Sequence, residues 1–571
     1  MSNTAPASRP TPRNQTISLT GIDKDIESIL LPFMAVNSET ATAGEKQCEE
    51  FLLQLLGNIP YFQKNTGHFG AFPIKDDELG RAVTWALVKG KGPDTVILLH
   101  HNDVVGVEDF KILKHAAFSP ALLAQELVKI ADGLQAEAKA DLLSGEYLFG
   151  RGCCDMKGGG AIQFALLKRY AQLSDFRGNL IVLSLPDEEN LSAGMRAAIT
   201  LLTELKEKFA LTYVYAINSE PHQRKDPATG LFSEGSVGKM LAFVYVRGVL
   251  AHVGKIFEGL NPLAVLTEIA GELELSPLFS DNVGGESAPP PTWLYLRDRK
   301  LSYDVSIPLG AGGCVSIITL DSAPPKILSQ LQDVSHKAFA TVITRMNERY
   351  AVFCNNTNRE LKPLPWKPAV TSFASLVKEA LEAHGDIFLD AYELKLKETC
   401  KAINTGELTM VESGFVLTEF VYDYINDLSP RVVIGFIPPY YPNVSNLLLD
   451  ARSEEERTMA ETLSDYTMQK YGQKYEREYY YTGISDLSYF SLKNSARIKE
   501  VLANDMPLFG KCYSIPLEQI ESLSMPCINI GPWGKDFHKL TERVYKPDLF
   551  ERTPDILNRA IQIMLNQETG A

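Results

Sequence analysis

The chain has 571 residues, of which 45% are apolar and 22% are charged, so it is long enough to bury more than one hydrophobic core. Its formal net charge of -15 argues against a nucleic-acid partner, because binding a phosphate backbone requires a basic face. No apolar run reaches the roughly eighteen residues that a membrane span requires. We therefore expect a protein that binds neither nucleic acid nor membranes.

The N-terminal residues and the cysteines indicate the cellular compartment of the protein. Residues 1–20 are rich in Pro and Ser and contain no apolar segment of the kind found in secretory signals, which predicts a disordered tail. The eight cysteines are scattered without paired spacing, so reduced thiols are favoured over a disulfide framework. Both observations predict a cytoplasmic location.

Short runs rich in β-branched residues alternate with helical patterns in the first part of the chain. This alternation predicts an α/β fold, with a mostly parallel sheet covered by helices on both faces. The predicted strands are 82–88, 95–100, 179–185 and 213–218, and the predicted helix is 159–173. Polar residues directly follow several of these strands, at the edge of a parallel sheet where ligands bind.

The pattern changes near residue 235 and changes back near residue 430. A predicted strand at 240–246 and a predicted helix at 263–275 follow the first change. A buried strand in RVVIGFIPPYYP and a capped helix starting at Ser453 follow the second. We therefore predict a catalytic domain in two parts, 21–235 and 430–571, interrupted by an inserted α+β lid or dimerisation domain at 236–429.

The segment LLHHNDVV places two histidines at the end of a predicted strand. Alternation along a strand directs His100 and His101 to opposite faces, and only His101 has a carboxylate, Asp103, two residues later. A histidine beside a carboxylate fits a metal ligand with an orienting partner. Taken alone, such a segment is more often a buried structural histidine than a metal ligand.

Three further segments supply acidic side chains and a late histidine. In GRGCCDMKGGGA, Asp155 precedes a predicted helix, where it could cap that helix or bridge two metal ions. In LSLPDEEN, three successive carboxylates follow a strand, where they form either a solvated turn or a site that cations neutralise. Glu220 follows the next strand, and His538 lies far downstream. Two histidines and several carboxylates form a ligand set that zinc accepts.

These segments, in this order, resemble the co-catalytic zinc peptidases of family M20, which include aminoacylase, acetylornithine deacetylase and glutamate carboxypeptidase. The segments IPYFQ, PDEENLSAGMRAA and PPYYP further resemble the RocB branch of arginine utilization proteins. The resemblance implies that Asp155 bridges two metals, with His101 and Glu220 on one and Glu189 and His538 on the other. It also implies Glu188 as the general base and Asp103 as the group that orients His101.

The resemblance extends to GVLAHVGKIFEGLNP in the inserted domain. It implies that His252 reaches a neighbouring active site and stabilises the developing oxyanion there. Ile256 stands near a usual Pro, and Pro262 replaces a usual Ala. No lid arginine that would bind a substrate carboxylate is identifiable, so carboxypeptidase activity is not implied.

The sequence thus predicts a hydrolase that cleaves an amide bond with two divalent ions, with zinc favoured and cobalt or manganese as alternatives. Its predicted substrate is a small peptide or an N-acyl amino acid, and the RocB resemblance suggests arginine or ornithine catabolism. A homodimer is predicted from the lid domain. The alternative function is a catalytically silent protein that uses a metal to bind a small amino-acid-like ligand. A purely structural protein would have no reason to gather carboxylates at strand ends.

Overall fold

A computed structural model describes residues 16–224, 226–450 and 453–565. Most of the tail predicted at 1–20 lies outside these residues, whereas Ile17, near its end, packs in the hydrophobic core. Within the described residues, none of the helices combines the length and the apolar composition needed to span a bilayer.

The strands in chain order are β1 (Phe69–Pro73), β2 (Ala82–Lys89), β3 (Lys91–His101), β4 (Tyr147–Phe149), β5 (Arg177–Leu185), β6 (Thr212–Asn218), β7 (Thr229–Ser233), β8 (Gly235–Ser236), β9 (Gly238–Arg247), β10 (Asn282–Val283), β11 (Glu286–Ser287), β12 (Thr292–Asp298), β13 (Gly310–Thr319), β14 (Val370–Ser372), β15 (Arg431–Tyr441), β16 (Val444–Ser445), β17 (Lys474–Glu478), β18 (Cys527–Asn529), β19 (Gly534–Lys535) and β20 (Arg543–Tyr545).

The α-helices are α1 (Ile22–Ala35), α2 (Gly44–Gly57), α3 (Pro60–Lys64), α4 (Pro120–Lys129), α5 (Ala136–Ser144), α6 (Lys157–Tyr170), α7 (Ala193–Phe209), α8 (Pro262–Leu273), α9 (Pro324–Asn356), α10 (Phe373–His384), α11 (Asp386–Asn404), α12 (Met410–Tyr422), α13 (Glu454–Arg457), α14 (Met459–Tyr471), α15 (Ser495–Asp505), α16 (Leu517–Leu523) and α17 (Thr553–Met564).

The first large sheet has eight strands in the order β1-β2-β5-β3-β6-β18-β7-β17. Its centre, from β5 to β18, is parallel. Along β3, Ile97 and Leu99 pack in one core with α7, while Val96 and Leu98 pack in a second core with α1 and α6. Helices therefore cover both faces, and the predicted α/β fold is confirmed.

The second sheet has five strands in the order β12-β13-β9-β15-β14. Along β9, Val244 and Val246 pack with α8 and α9, while Phe243 packs with α10 and α12 in a separate core. The buried strand predicted near residue 431 exists as β15, and it pairs with β9 in this sheet. Strand β15, which follows the boundary predicted at 429, thus lies in the same sheet as β9 of the predicted inserted domain.

One pair of cysteines departs from the reduced thiols that the sequence favours. Cys400 of α11 and Cys512 are joined in a disulfide, with their Cα atoms 5.8 Å apart. Their separation of 112 residues explains why the spacing of the cysteines gave no sign of the pair. The other six cysteines are free and buried.

Candidate metal centre

The carboxyl ends of three neighbouring strands supply most of the candidate ligands. Strand β3 ends at His101, and β5 and β6 lie on either side of it in parallel orientation. The acidic turn, defined here as residues 187–189, follows β5, and Glu220 follows β6. Because parallel strands end at the same edge of a sheet, these residues meet although they are far apart in sequence.

His101 faces the carboxylates with one ring nitrogen. Its Nε2 atom lies 3.0 Å from Asp155 Oδ1 and 3.7 Å from Glu220 Oε1. Its Nδ1 atom lies 2.9 Å from the main-chain oxygen of Asp103 and 3.6 Å from the Asp103 carboxylate. A hydrogen on Nδ1 is donated to that carbonyl, which leaves the Nε2 lone pair for a metal.

Asp155 lies between the two histidines. Its Oδ1 atom faces His101, and its Oδ2 atom lies 3.1 Å from Nε2 of His538. The same His538 nitrogen lies 3.0 Å from Glu189 Oε1. His538 belongs to the loop between β19 and β20, so the chain returns to this site more than three hundred residues after Asp155.

The donor atoms are close enough to hold metal ions. Three groups of residues have ligand atoms within 4.8 Å of one another. The first is His101, Asp155 and Glu220, and the second is Asp155, Glu189 and His538. The third is His101, Glu188 and Glu189. The first two groups share Asp155, with one oxygen directed to each histidine. Imidazole and carboxylate donors suit zinc, and a shared carboxylate suits a pair of ions. The residues present therefore fit a dinuclear metal centre.

The electrostatics of the site also favour cations. Burial and neighbouring acids raise the pKa values of Glu188 and Glu220 well above their usual range. Burial alone would lower the pKa of His101, but the carboxylates of Glu220 and Asp155 raise it well above the usual value. Hydrogen bonds to acidic partners raise the pKa of His538 to about 10. Carboxylates crowded at this density hold protons, or metal ions in their place.

Buried carboxylates fix the backbone of the acidic turn. The main-chain N–H of Asp187 donates to Glu45 Oε1 at 2.8 Å. The N–H groups of Glu188 and Glu189 donate to the two carboxylate oxygens of Asp103 at 3.1 and 3.2 Å. The Asp103 carboxylate thus contacts the turn more closely than it contacts the His101 ring.

Arg81 neutralises the acids beneath the turn. Its Nη1 atom donates to Asp187 Oδ1 at 2.8 Å and to Glu45 Oε2 at 2.9 Å. Its Nη2 atom donates to Asp77 Oδ1 at 2.7 Å. Asp187 itself accepts the N–H of Ala193 and so caps α7. Asp187 is therefore bound within the protein and directed away from the ligand clusters.

A second buried pair supports the loop that carries Asp155. Glu542, four residues after His538, accepts hydrogen bonds from the main-chain N–H groups of Cys154 and Asp155 at 3.3 and 3.4 Å. Arg151 donates to the other Glu542 oxygen at 2.6 Å. Sequence reasoning missed Glu45, Arg81 and Glu542. The one signal was that Glu542 follows His538 closely in the sequence.

Two histidines are not in the ligand clusters. His100 points to the opposite face of the sheet, as alternation predicts, and its Nδ1 atom lies 2.9 Å from Gln163 Oε1. His252 is exposed in the loop before α8, and its Nδ1 atom accepts the N–H of Gly254 at 3.1 Å. Among the described residues, no cluster includes His252, so its predicted role stays a proposal.

Comparisons with known proteins identify the class. The family model of peptidase family M20/M25/M40 matches residues 132–553. The chain therefore belongs to this family and is a metallopeptidase or amidohydrolase. It is 32% identical over 555 residues to the uncharacterized protein YqjN of Bacillus subtilis, covering 96% of this chain and 97% of that protein. It is 29% identical over 542 residues to the protein RocB of the same organism, covering 94% of each chain.

Solved structures share the fold. A tripeptidase from Staphylococcus aureus matches with a TM-score of 0.52 and 13% identity, covering 97% of this chain and 100% of that one. A metallo-carboxypeptidase of the M20 family from Sulfolobus solfataricus matches with a TM-score of 0.52 and 11% identity, covering 95% of this chain and 99% of that one. At these identities the likeness establishes the fold alone.

Proposed function

We propose that this chain hydrolyses an amide bond of a small peptide or an N-acyl amino acid with the help of two divalent cations. Zinc is favoured, with cobalt or manganese as alternatives. The observation that carries this proposal is the position of Asp155, whose two oxygens face two different histidines. Each histidine also lies within 4.0 Å of a further carboxylate, Glu220 at 3.7 Å or Glu189 at 3.0 Å.

His101, Asp155 and Glu220 would hold one cation, and Asp155, Glu189 and His538 the other. When bound, such cations make water more acidic and polarise a carbonyl group. Glu188 belongs to neither of these two clusters, so it is the carboxylate left for proton transfer. We assign it the general base that takes a proton from water and then gives it to the leaving nitrogen.

In this proposal, Asp103 positions the general base, Glu188. Its carboxylate holds the main chain of Glu188 and Glu189, while its carbonyl oxygen meets His101 Nδ1. The main-chain oxygen of Asp103 thus orients His101, whereas its carboxylate orients the acidic turn. Positioning of this kind keeps a base within hydrogen-bond reach of its substrate proton.

The relatives support an amide substrate. A succinyl-diaminopimelate desuccinylase of Marinobacter nauticus is 26% identical over 263 residues, covering 46% of this chain and 60% of that enzyme. Its name denotes removal of an N-acyl group, which favours an N-acyl amino acid here. Similarity to RocB supports a role in arginine or ornithine catabolism, and a cytoplasmic location fits such a role.

We also propose that two copies associate through the second sheet. Strand β12 is its edge strand, with Leu294 and Leu296 exposed. Leu301 and Tyr303 in the following loop are 100% and 90% exposed. An unpaired edge flanked by apolar side chains is suited to pairing with a second copy. His252 lies beside this loop, because the N–H of Val253 donates to the main-chain oxygen of Val305. In a dimer formed at this edge, His252 would lie near the partner.

A hydrolysis screen tests the proposed function. The zinc-loaded chain is incubated with dipeptides, tripeptides and N-acyl amino acids, with and without a chelator, and the release of free amine is measured. We expect turnover of at least one class, and we expect the chelator to abolish it. If ligands bind and zinc is present but no amide is cleaved, the alternative function of a silent metal-dependent binding protein is supported instead.

A further inference from the structure

The disulfide between Cys400 and Cys512 joins helix α11 to the loop that follows α15. Both of these cysteines are partly exposed, whereas the six free cysteines are buried. Access to solvent decides which sulfur atoms react with an external thiol. A reductant in solution therefore reaches this pair, while the other six cysteines are shielded from it.

Two polar contacts also hold α11 against neighbouring parts of the chain. Lys511, one residue before Cys512, donates from Nζ to Glu393 Oε2 of α11 at 2.8 Å. At the end of α11, Asn404 Nδ2 donates to Glu78 Oε1 at 2.8 Å. Both contacts are exposed to solvent, where such contacts contribute little to stability. The disulfide is therefore the strongest of the three links.

The residues that follow Cys512 are connected to the acidic turn through one arginine. The main-chain oxygen of Ser514 accepts a hydrogen bond from Nη1 of Arg196 at 2.8 Å. The Arg196 guanidinium also lies over the ring of Tyr513, 4.7 Å from its centroid. Its Nε atom donates to the main-chain oxygen of Leu191 at 3.2 Å. Because Leu191 lies two residues beyond the acidic turn, the disulfide and the turn are linked through a short series of direct contacts.

We infer that Cys400 and Cys512 form a thiol–disulfide site, at which a dithiol reversibly changes how firmly the acidic turn is held. The inference rests on the proposed function, because it concerns regulation of that same site. In a reducing compartment such as the proposed cytoplasm, a disulfide is usually transient, catalytic or redox-sensing. A partly exposed pair beside the catalytic loop fits the last of these roles.

The exchange converts one dithiol to its cyclic disulfide. A thiolate of the dithiol attacks one sulfur of the cysteine pair, which forms a mixed disulfide and releases the other cysteine as a thiolate. The second thiol of the reagent loses its proton and attacks the mixed disulfide, which releases the remaining cysteine. Two electrons thus pass to the cysteines, and the two thiol protons of the reagent are taken up by the released thiolates. The oxidised form of the reagent reverses both steps.

Reduction should loosen the loop of the acidic turn without unfolding the chain. Tyr513 is buried in the hydrophobic core, and its hydroxyl oxygen accepts the N–H of Tyr440 at 2.9 Å. These contacts do not depend on the disulfide. What reduction removes is the covalent restraint next to Tyr513, and with it the fixed position of Ser514 against Arg196. Since small displacements of a catalytic group slow a reaction, the reduced chain should hydrolyse amides more slowly.

A thiol count tests the site itself. The native chain is equilibrated with mixtures of reduced and oxidised dithiothreitol and labelled with iodoacetamide, and the labelled residues are identified by mass spectrometry. We expect Cys400 and Cys512 to become labelled together, while the six buried cysteines stay unlabelled. A pair that resists reduction until the chain unfolds would overturn the inference. Labelling of the pair in the absence of the dithiol would also overturn it.

Hydrogen exchange measures the effect on the acidic turn without requiring turnover. The oxidised and reduced chains are compared after the dithiol has been removed, zinc has been reloaded and the metal content has been checked. We expect faster exchange of residues 187–196 in the reduced chain, and unchanged exchange of α6. Equal exchange of residues 187–196 in both forms would overturn the inference. Faster exchange in a chain that hydrolyses no amide retains the switch and refutes the proposed function.

Variants separate the disulfide from other effects of the dithiol. With Cys400→Ser and Cys512→Ser combined, kcat should be lower than in the oxidised wild type by roughly tenfold, within the range that a small displacement of a catalytic group causes. It should also be independent of the dithiol. Cys354→Ala, which removes a buried free cysteine of α9, is the control and should respond like the wild type. A response to the dithiol that persists in the double variant would overturn the inference. If the double variant does not fold, labelling and exchange on the wild type decide.

Discussion

Two adjacent glutamates receive different roles, and their variants should fail differently. Glu188→Gln keeps size and polarity but removes the base, so turnover should fall by roughly a hundredfold or more while both metal sites stay occupied. Glu189→Gln replaces an anionic ligand with a neutral amide, so the ion held with His538 should be lost. Turnover and metal content are measured on the same preparations.

The comparison needs folded protein, which circular dichroism establishes for each variant. Glu500→Gln in α15 is a matched control, because Glu500 is exposed and distant in sequence from the site. It should keep both metals and full turnover. Wild-type turnover by Glu188→Gln with both metals bound would show that another group moves the proton.

The sequence indicated the candidate ligand residues because they follow strands or glycines at recognisable positions. Strand alternation put His100 and His101 on opposite faces, and Asp103 selected His101 as the candidate ligand. The structure places His100 against Gln163. The residues that support the ligands gave little signal. Glu45 reaches Asp187 across 142 positions, and Glu542 reaches Asp155 across 387, contacts that no local pattern encodes.

At the scale of elements, the acidic turn between β5 and α7 depends on one arginine. Arg81→Met would leave Glu45, Asp77 and Asp187 without their shared cation. Breaking a buried ion pair from one side costs roughly 3–5 kcal/mol, so the free energy of unfolding should fall by about that amount. Urea denaturation followed by circular dichroism measures the change.

Arg297→Met is the control, since Arg297 is half exposed and its nearest acid, Glu412, lies 3.9 Å away. A surface pair at this distance contributes at most about 1 kcal/mol, so this variant should unfold close to the wild type. Similar stabilities for the two variants would show that the network beneath the turn does not hold it.

Element prediction succeeded where short runs rich in β-branched residues alternate with helical patterns. The predicted strands at 82–88, 95–100, 179–185 and 213–218 correspond to β2, β3, β5 and β6. The assignment of β15 was harder, because a continuous apolar run fits a buried strand of either sheet. Only the pairing with β9 shows to which sheet β15 belongs, and this pairing joins residues far apart in sequence.

At the scale of the whole molecule, the second sheet predicts assembly. We expect a dimer at micromolar concentration by light scattering, because β12 offers an unpaired edge with exposed leucines. Leu294→Lys and Leu296→Lys together should favour the monomer, since charges on an edge strand oppose pairing. The paired substitution Ile387→Lys and Leu394→Lys, at exposed positions of α11, is the control.

Loss of turnover in the monomeric variant would support a role for His252 in the partner's site. A wild-type chain that stays monomeric would contradict the proposed dimer and the role of His252 in a partner. The proposed metal centre would be unaffected, because all of its candidate ligands come from one chain.

Metal content measured together with turnover tests the central claim most directly. The chain is stripped with a chelator, dialysed and titrated with zinc, and bound zinc and amide hydrolysis are measured at each step. We predict no hydrolysis by the stripped chain, and recovery that is complete at close to two ions per chain, because a bridging carboxylate suits a pair. Hydrolysis that persists without metal, or a folded chain that binds no zinc, would contradict it.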